Sequence, residues 1–183
     1  MKSIRYKVDF YSLWHCGSGL AGGAEMDAFV LKDRRQLPYI PGKTIKGLIR
    51  EALEEVICYT SGEHLKEYVL LSLGSETDKG VTYFTNAYLD AKEQEYIISN
   101  DLSDLLYRNI SSTAIGQDGL AADHSLRVIE CTVPCTLHGE IQDIPDELYE
   151  DYKLALQMIK GLGFKRNRGL GRCKFIITGY NER

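Results

Sequence analysis

Close to the C-terminus, Gly163, Gly169 and Gly171 punctuate a stretch that also carries Lys165, Arg166, Arg168 and Arg172. Glycine lets the backbone take conformations closed to other residues and approach a ligand closely. Four cations inside one short turn set up a local field opposite in sign to the net charge of the chain, which is −4. The chemistry this favours is anion binding, and the anion it fits is a polyanion. The plainer alternative is a solvated basic loop whose glycines cap the preceding helix and turn the chain; the segment alone leaves both open. A second cluster points the same way. Lys43, Thr44 and Lys46 fall on the first turn of a predicted helix, with Arg50 one turn beyond. Cations are unfavourable beside the positive end of a helix dipole, so an anion bound at that end accounts for them.

These residues need elements to hold them. At 183 residues with 44% apolar content, the chain is expected to form one domain with a real core. Its apolar runs are short and Met1 leads straight into an alternating pattern, so no signal peptide or membrane span is expected and the location read from this is cytoplasmic. Five cysteines, an odd number without a C-x-x-C pair, argue against a disulfide framework and against a zinc ribbon. The overall charge does not announce a nucleic-acid binder, but its distribution matters more. Cations gather at Lys32 to Arg35, Lys43 to Arg50 and Lys165 to Arg172, and acids at Glu54-Glu55, Glu93 to Asp104 and Asp143 to Asp151. One basic and one acidic face are expected.

Ile4, Tyr6, Val8 and Phe10 alternate with polar residues, the period of a half-buried strand. Glycines at 17, 19, 22 and 23 then open a loop that runs through Asp27. Ile45, Leu48, Ile49, Ala52, Leu53, Val56 and Ile57 recur at helical spacing and predict an amphipathic helix over about 43–59. A short helix is expected near 63–71, a strand over 81–89, and a long polar excursion from about 90 to 125. Ile129, Cys131, Val133, Cys135 and Leu137 alternate as one further strand, with Pro134 marking an edge or bulge and both cysteines on the core face. A second main helix over 145–160 and a last strand over 172–180 complete the order strand, helix, strand, strand, helix, strand. That order predicts an α+β fold: a single ferredoxin-like (RRM-like) domain over 1–183, with an antiparallel sheet, two main helices and a thumb-like insertion at about 91–125. Such a fold does not fix function.

Three segments, in order, resemble one family. Leu37-Pro38-Tyr39-Ile40-Pro41-Gly42-Lys43-Thr44-Ile45-Lys46-Gly47-Leu48-Ile49-Arg50 is similar to the proline-glycine helix start of the RAMP superfamily, the repeat-associated proteins of CRISPR systems. Gly161 to Arg172 is similar to that superfamily's C-terminal glycine-rich loop. Between them, Tyr107 to Ile110 through His124 to Glu130 resembles the segment before the third strand in backbone subunits of type III interference complexes. Gly23 to Asp33 is similar to the type III loop in which an aspartate cleaves target RNA, with Asp27 at that aspartate's place and Asp33 as a flanking acid. Lys43-Thr44 departs from the more usual pair of serines, and no Cys/His insert for a zinc site is present.

The resemblance implies a backbone subunit that assembles head to tail along a CRISPR guide RNA, beside other effector subunits, and binds complementary target RNA. It implies guide contacts at Lys43, Thr44, Lys46, Arg50, Gly163, Lys165, Arg166, Arg168, Gly169, Gly171 and Arg172. It further implies Mg2+-dependent cleavage through Asp27 and a thumb at 91–125 that kinks the RNA, with Leu105, Leu106 and Ile110 as candidate wedges. Two other readings stand beside it: a scaffold of the same family without catalysis, and a processing endoribonuclease using His15 or a tyrosine. Without that context, Asp27 reads first as a turn or capping aspartate, and His15 as a strand-end or core histidine before a general base.

Overall fold

The computed structural model describes residues 1–20, 26–59, 63–116, 119–120 and 122–182. Its main sheet has four strands: β1 (Lys2–Phe10), β2 (Tyr83–Phe84), β5 (Thr136–Ile144) and β6 (Cys173–Glu182), in the order β2-β5-β1-β6 with every neighbour antiparallel. Alternation along β1 sends Ile4, Tyr6, Val8 and Phe10 inward, where they pack with helices α1 (Gly42–Tyr59) and α4 (Tyr149–Met158). Ile45, Ile49 and Leu53 of α1 are fully buried, as are Tyr152, Ala155 and Leu156 of α4. Each large aliphatic side chain removed from water there contributes about 1.5–3 kcal/mol, which fixes α1 and hence the direction of its first turn. Two smaller helices, α2 (Lys66–Leu73) and α3 (Ala91–Ser99), complete the mixed α/β architecture. Among the described residues no helix is long and apolar enough to cross a membrane.

The structure corrects three expectations. The single strand expected through 129–137 is two strands in different sheets. β4 (Arg127–Thr132) pairs with β3 (Tyr107–Ser112) as a separate hairpin, and β5 begins after Pro134, which has no N–H to continue a ladder. Cys131 is fully buried but Cys135 only partly, since the break turns the alternation. The strand expected over 81–89 is regular only at Tyr83–Phe84, followed by single bridges from Ala87 to Ile40 and from Tyr88 to His138. The polar excursion is largely structured: α3 begins on an Asp90 side-chain cap and buries Ile97, and β3 follows a short 3₁₀ turn. Among the described residues, the segment between β3 and β4 carries no helix or named strand; Gln117, Asp118 and Ala121 within it lie outside the described residues.

A buried polar relay ties α2 and α4 to the chain before β2. The Ser72 hydroxyl lies 2.6 Å from that of Tyr152 and 2.7 Å from that of Thr82. Gly42 opens α1 where no side chain fits, because a Cβ there would stand 2.1 Å from the Phe84 carbonyl oxygen. The proline-glycine pair thus lets the helix start against β2 itself.

Candidate nucleic-acid interface

One backbone segment, residues 13–17, organises the site. Trp14 bridges to Thr132 of β4, and Leu31 N–H donates to the Cys16 carbonyl at 2.8 Å. On the other side the segment receives the glycine-rich loop, whose Phe164 and Gly171 N–H groups donate to the carbonyls of His15 (2.9 Å) and Leu13 (2.7 Å). The start of α1 reaches the same segment. Burial pushes the Cys16 thiol up, and the nearby Thr44 hydroxyl and Lys43 ammonium oppose that push. Lys43, Thr44 and the loop therefore converge on neighbouring residues of a single segment.

Two of the loop glycines serve the chain itself. A Cβ on Gly163 (φ 92°) would stand 2.2 Å from the His15 carbonyl oxygen, and one on Gly171 (φ 65°) 1.9 Å from that of Leu162. Gly169 (φ 91°) meets nothing within 4 Å, so it alone leaves open backbone at the tip. The close approach expected toward a ligand is, at Gly163 and Gly171, an approach to the protein's own carbonyls. It shapes a short 3₁₀ turn at Arg166–Arg168, preceded by Lys165 in the left-handed conformation, which holds the cations outward.

The cations differ in their freedom. Arg166 pairs with Glu51 of α1 at 2.8 Å and Lys165 Nζ lies 3.2 Å from the Ser112 hydroxyl of β3. Lys43, Lys46, Arg168 and Arg172 have no acidic partner within salt-bridge distance among the described residues. Arg50 is placed elsewhere: its guanidinium donates to the carbonyls of Leu73 (3.1 Å) and Gly74 (3.0 Å), closing the C-terminal end of α2. The structure does not bring Arg50 together with the loop.

Between the loop and the β3–β4 hairpin lies a cleft of about 740 Å³, its rim set by Arg127, Lys165 and Arg168 and its floor by Ile110, Ile129 and Leu170. Asp27 stands beside it. Its backbone N–H donates to the Val128 carbonyl at 2.8 Å, so the residue is strapped to β4. Its carboxylate accepts at Oδ1 from Arg127 Nη1 and at Oδ2 from Val128 N–H, both at 2.7 Å. The Arg127 hydrogen bond first, and the Val128 hydrogen bond next, hold this carboxyl below the usual carboxylate range. Ala21 to Glu25, the rest of that loop's tip, lie outside the described residues. Asp33 is engaged locally: it accepts from the N–H groups of Arg35 and Leu37 and closes a turn.

His15 is buried, with Nδ1 2.6 Å from the Glu130 carbonyl; since a carbonyl only accepts, Nδ1 carries the proton. Among the described residues no cluster of three or more His, Cys, Asp or Glu side chains could hold a metal ion. Of the candidate wedges, Leu106 packs against the core, Ile110 lines the cleft and Leu105 is exposed, while Ile115, Leu120 and Leu126 stand exposed around the hairpin tip. Two residues carry more than their sequence position signals. Asn86 accepts from the Gly42 N–H at the start of α1 from 44 residues away, and Arg127 holds Asp27 from 100 residues away. Neither belongs to a local periodicity that would mark it.

No curated protein matches the chain. Among the solved structures that share its fold are one of the type III-B Cmr-beta complex bound to cognate target RNA (TM-score 0.72, 11% identity, 96% of each chain covered) and one of the same complex in its apo state (TM-score 0.70, 11% identity, 96% of this chain and 97% of that one). The RAMP superfamily model matches residues 7–174, from β1 through the glycine-rich loop into β6. The chain belongs to the RAMP superfamily.

Proposed function

We propose that this protein is an RNA-binding backbone subunit of a type III CRISPR effector complex, built on a ferredoxin-like domain and assembled head to tail along the guide RNA beside other subunits. The observation that carries this reading is the convergence of Lys43, Thr44, Lys165 and Arg168 around residues 13–17 and the adjoining cleft, with Arg168 and Lys43 free of acidic partners among the described residues. The sheet order β2-β5-β1-β6, with α1 and α4 packed together against it, supports the ferredoxin-like assignment. Cations presented on a rigid turn grip phosphates and leave base edges free, which suits a protein whose sequence specificity comes from pairing between guide and target. The exposed apolar side chains at the hairpin tip supply candidate wedges between bases. Likeness in fold to subunits of the Cmr-beta complex supports the choice of a type III assembly.

In this reading Asp27 cleaves the target strand. Its carboxylate takes the proton of a 2′-hydroxyl, the 2′-oxygen attacks the adjoining phosphorus, and the P–O5′ bond breaks. The leaving oxygen takes a proton from water, and the products end in a 2′,3′-cyclic phosphate and a 5′-hydroxyl. The described residues do not by themselves build a Mg2+ site: Asp27 offers one carboxylate, and both its oxygens are engaged. That same double engagement favours a second reading, a scaffold that binds without cutting. Incubation of the protein with guide and complementary RNA, with Mg2+ or with EDTA, decides between them. Cleavage that is lost in Asp27→Ala, with binding retained, supports the catalytic subunit. Binding without cleavage in either buffer leaves the scaffold, and cleavage of single-stranded precursor instead overturns both.

A further inference from the structure

Resting on the RNA-binding reading above, we propose that Arg127 is a phosphate-operated latch: it holds Asp27 Oδ1 in the free protein and transfers to a phosphate when RNA enters the adjoining cleft, releasing that oxygen.

Three observations meet at this residue. Arg127 and Val128 each donate to one carboxylate oxygen of Asp27, so in the free protein each oxygen already accepts a hydrogen bond that weakens it as a base. The two bonds are unequal in mobility. Val128 donates from a β4 backbone that also accepts from Asp27 N–H, whereas the Arg127 side chain is 68% exposed on a long stem. Arg127 also stands on the cleft rim with Lys165 and Arg168, and Asp123 is the acid that shares the lining. A phosphate delivered by two cations is thus brought within reach of the third. Guanidinium binds phosphate through the same paired N–H geometry that it offers a carboxylate, so the exchange keeps Arg127 satisfied throughout. Val128 keeps its hold on Oδ2, and Oδ1 is released beside the Arg127 rim of the cleft. The low carboxyl pKa of the free protein fits this arrangement, since it lifts once the guanidinium departs.

The latch has a thermodynamic signature, because RNA must compete with Asp27 for Arg127 and coupling between sites is reciprocal. Removing the Asp27 charge spares RNA that competition. An exposed pair of this kind sets the gain at about two- to fivefold in affinity.

The test is a double-mutant cycle on RNA binding, with Asp27→Asn, Arg127→Gln and the two combined, each checked for a cooperative melting transition well above the assay temperature. The probes are a labelled single-stranded guide RNA and the same guide annealed to a complementary strand that is blocked to cleavage by 2′-O-methylation. Asp27→Asn is expected to tighten binding about two- to fivefold alone and to have no effect in the Arg127→Gln background. Arg127→Lys should restore part of the coupling, which a purely structural role of the residue would not. Coupling seen with the single strand assigns the phosphate to the guide; coupling seen only with the duplex assigns it to the target. An equal gain in both backgrounds means simple charge repulsion and overturns the latch, as does weaker binding by Asp27→Asn. If Arg127→Gln fails to fold, the cycle is run with Arg127→Met, and the same outcomes support or overturn the latch. Loss of the RNA-binding reading looks different: no variant, nor the parent protein, would bind either probe with salt dependence, and the latch falls with it.

Discussion

Replacing Gly171 by alanine tests how the glycine-rich loop is built. The new Cβ would stand 1.9 Å from the Leu162 carbonyl oxygen, which is backbone and has no rotamer to yield. Relief requires the two arms of the loop to part by about 1 Å, because contacts under 3.0 Å are not sustained. That movement strains the hydrogen bonds from Leu162 N–H to Gly171 O (2.9 Å) and from Gly171 N–H to Leu13 O (2.7 Å). Each is worth about 1 kcal/mol, and holding alanine at φ 65° costs about 1 kcal/mol more, so a loss of about 3 kcal/mol is expected. Gly169→Ala is the internal control. Its φ is 91° but nothing lies within 4 Å, so only the conformational cost of about 1 kcal/mol applies. Urea unfolding followed through the fluorescence of Trp14, the sole tryptophan and a buried neighbour of this loop, measures both variants. Equal destabilisation to within about 0.5 kcal/mol would refute the view that Gly171 exists for close approach within the chain.

Arg50→Ala should cost about 1–2 kcal/mol in the same unfolding assay, through two charge-assisted hydrogen bonds to α2 carbonyls, while RNA affinity stays at the parent value. Ser72→Ala leaves the buried Tyr152 hydroxyl without its partner and is expected to destabilise by about 1–3 kcal/mol in thermal or urea melts. The folded-state pKa of Asp27 is lowered, so its contribution to stability is fully present above the ordinary carboxylate range and is lost as pH falls through the lowered value; in Asp27→Asn that part of the acid limb should be absent from a pH series of melts. Mass mapping after brief alkylation at mild alkaline pH should find Cys58 modified first, because it is exposed, whereas burial pushes the Cys135 and Cys173 thiols up to about 12.

What the sequence made legible follows from the range of the forces involved. α1 was readable because burial of its apolar stripe is a local periodicity, and β1 because alternation is equally local. The division at Pro134 was half visible: proline signalled a disturbed ladder, but which strand pairs with which is set by contacts more than 20 residues away, as between Tyr107 and Thr132. Composition alone made 90–125 look like a loop, because α3 buries only Ile97 among polar neighbours. In the candidate site, the cationic turn was plain from residue types, yet the work of its glycines was not. Gly163 and Gly171 answer to carbonyls of His15 and Leu162, and only the folded backbone shows that. The demotion of Arg50 to a helix-end clamp and the hold of Arg127 on Asp27 are likewise long-range pairings without a sequence period.

The central claim is that the outward cations of the loop grip RNA phosphates, and the salt dependence of binding tests it most directly. Affinity for a labelled single-stranded RNA should be measured across a salt series for the parent protein and for Arg168→Gln with Arg172→Gln, two cations without acidic partners among the described residues. Loss of two phosphate contacts should weaken binding and make the slope of log affinity against log salt shallower by about 1.4. An unchanged affinity and slope would contradict the account and move the RNA to another face of the molecule.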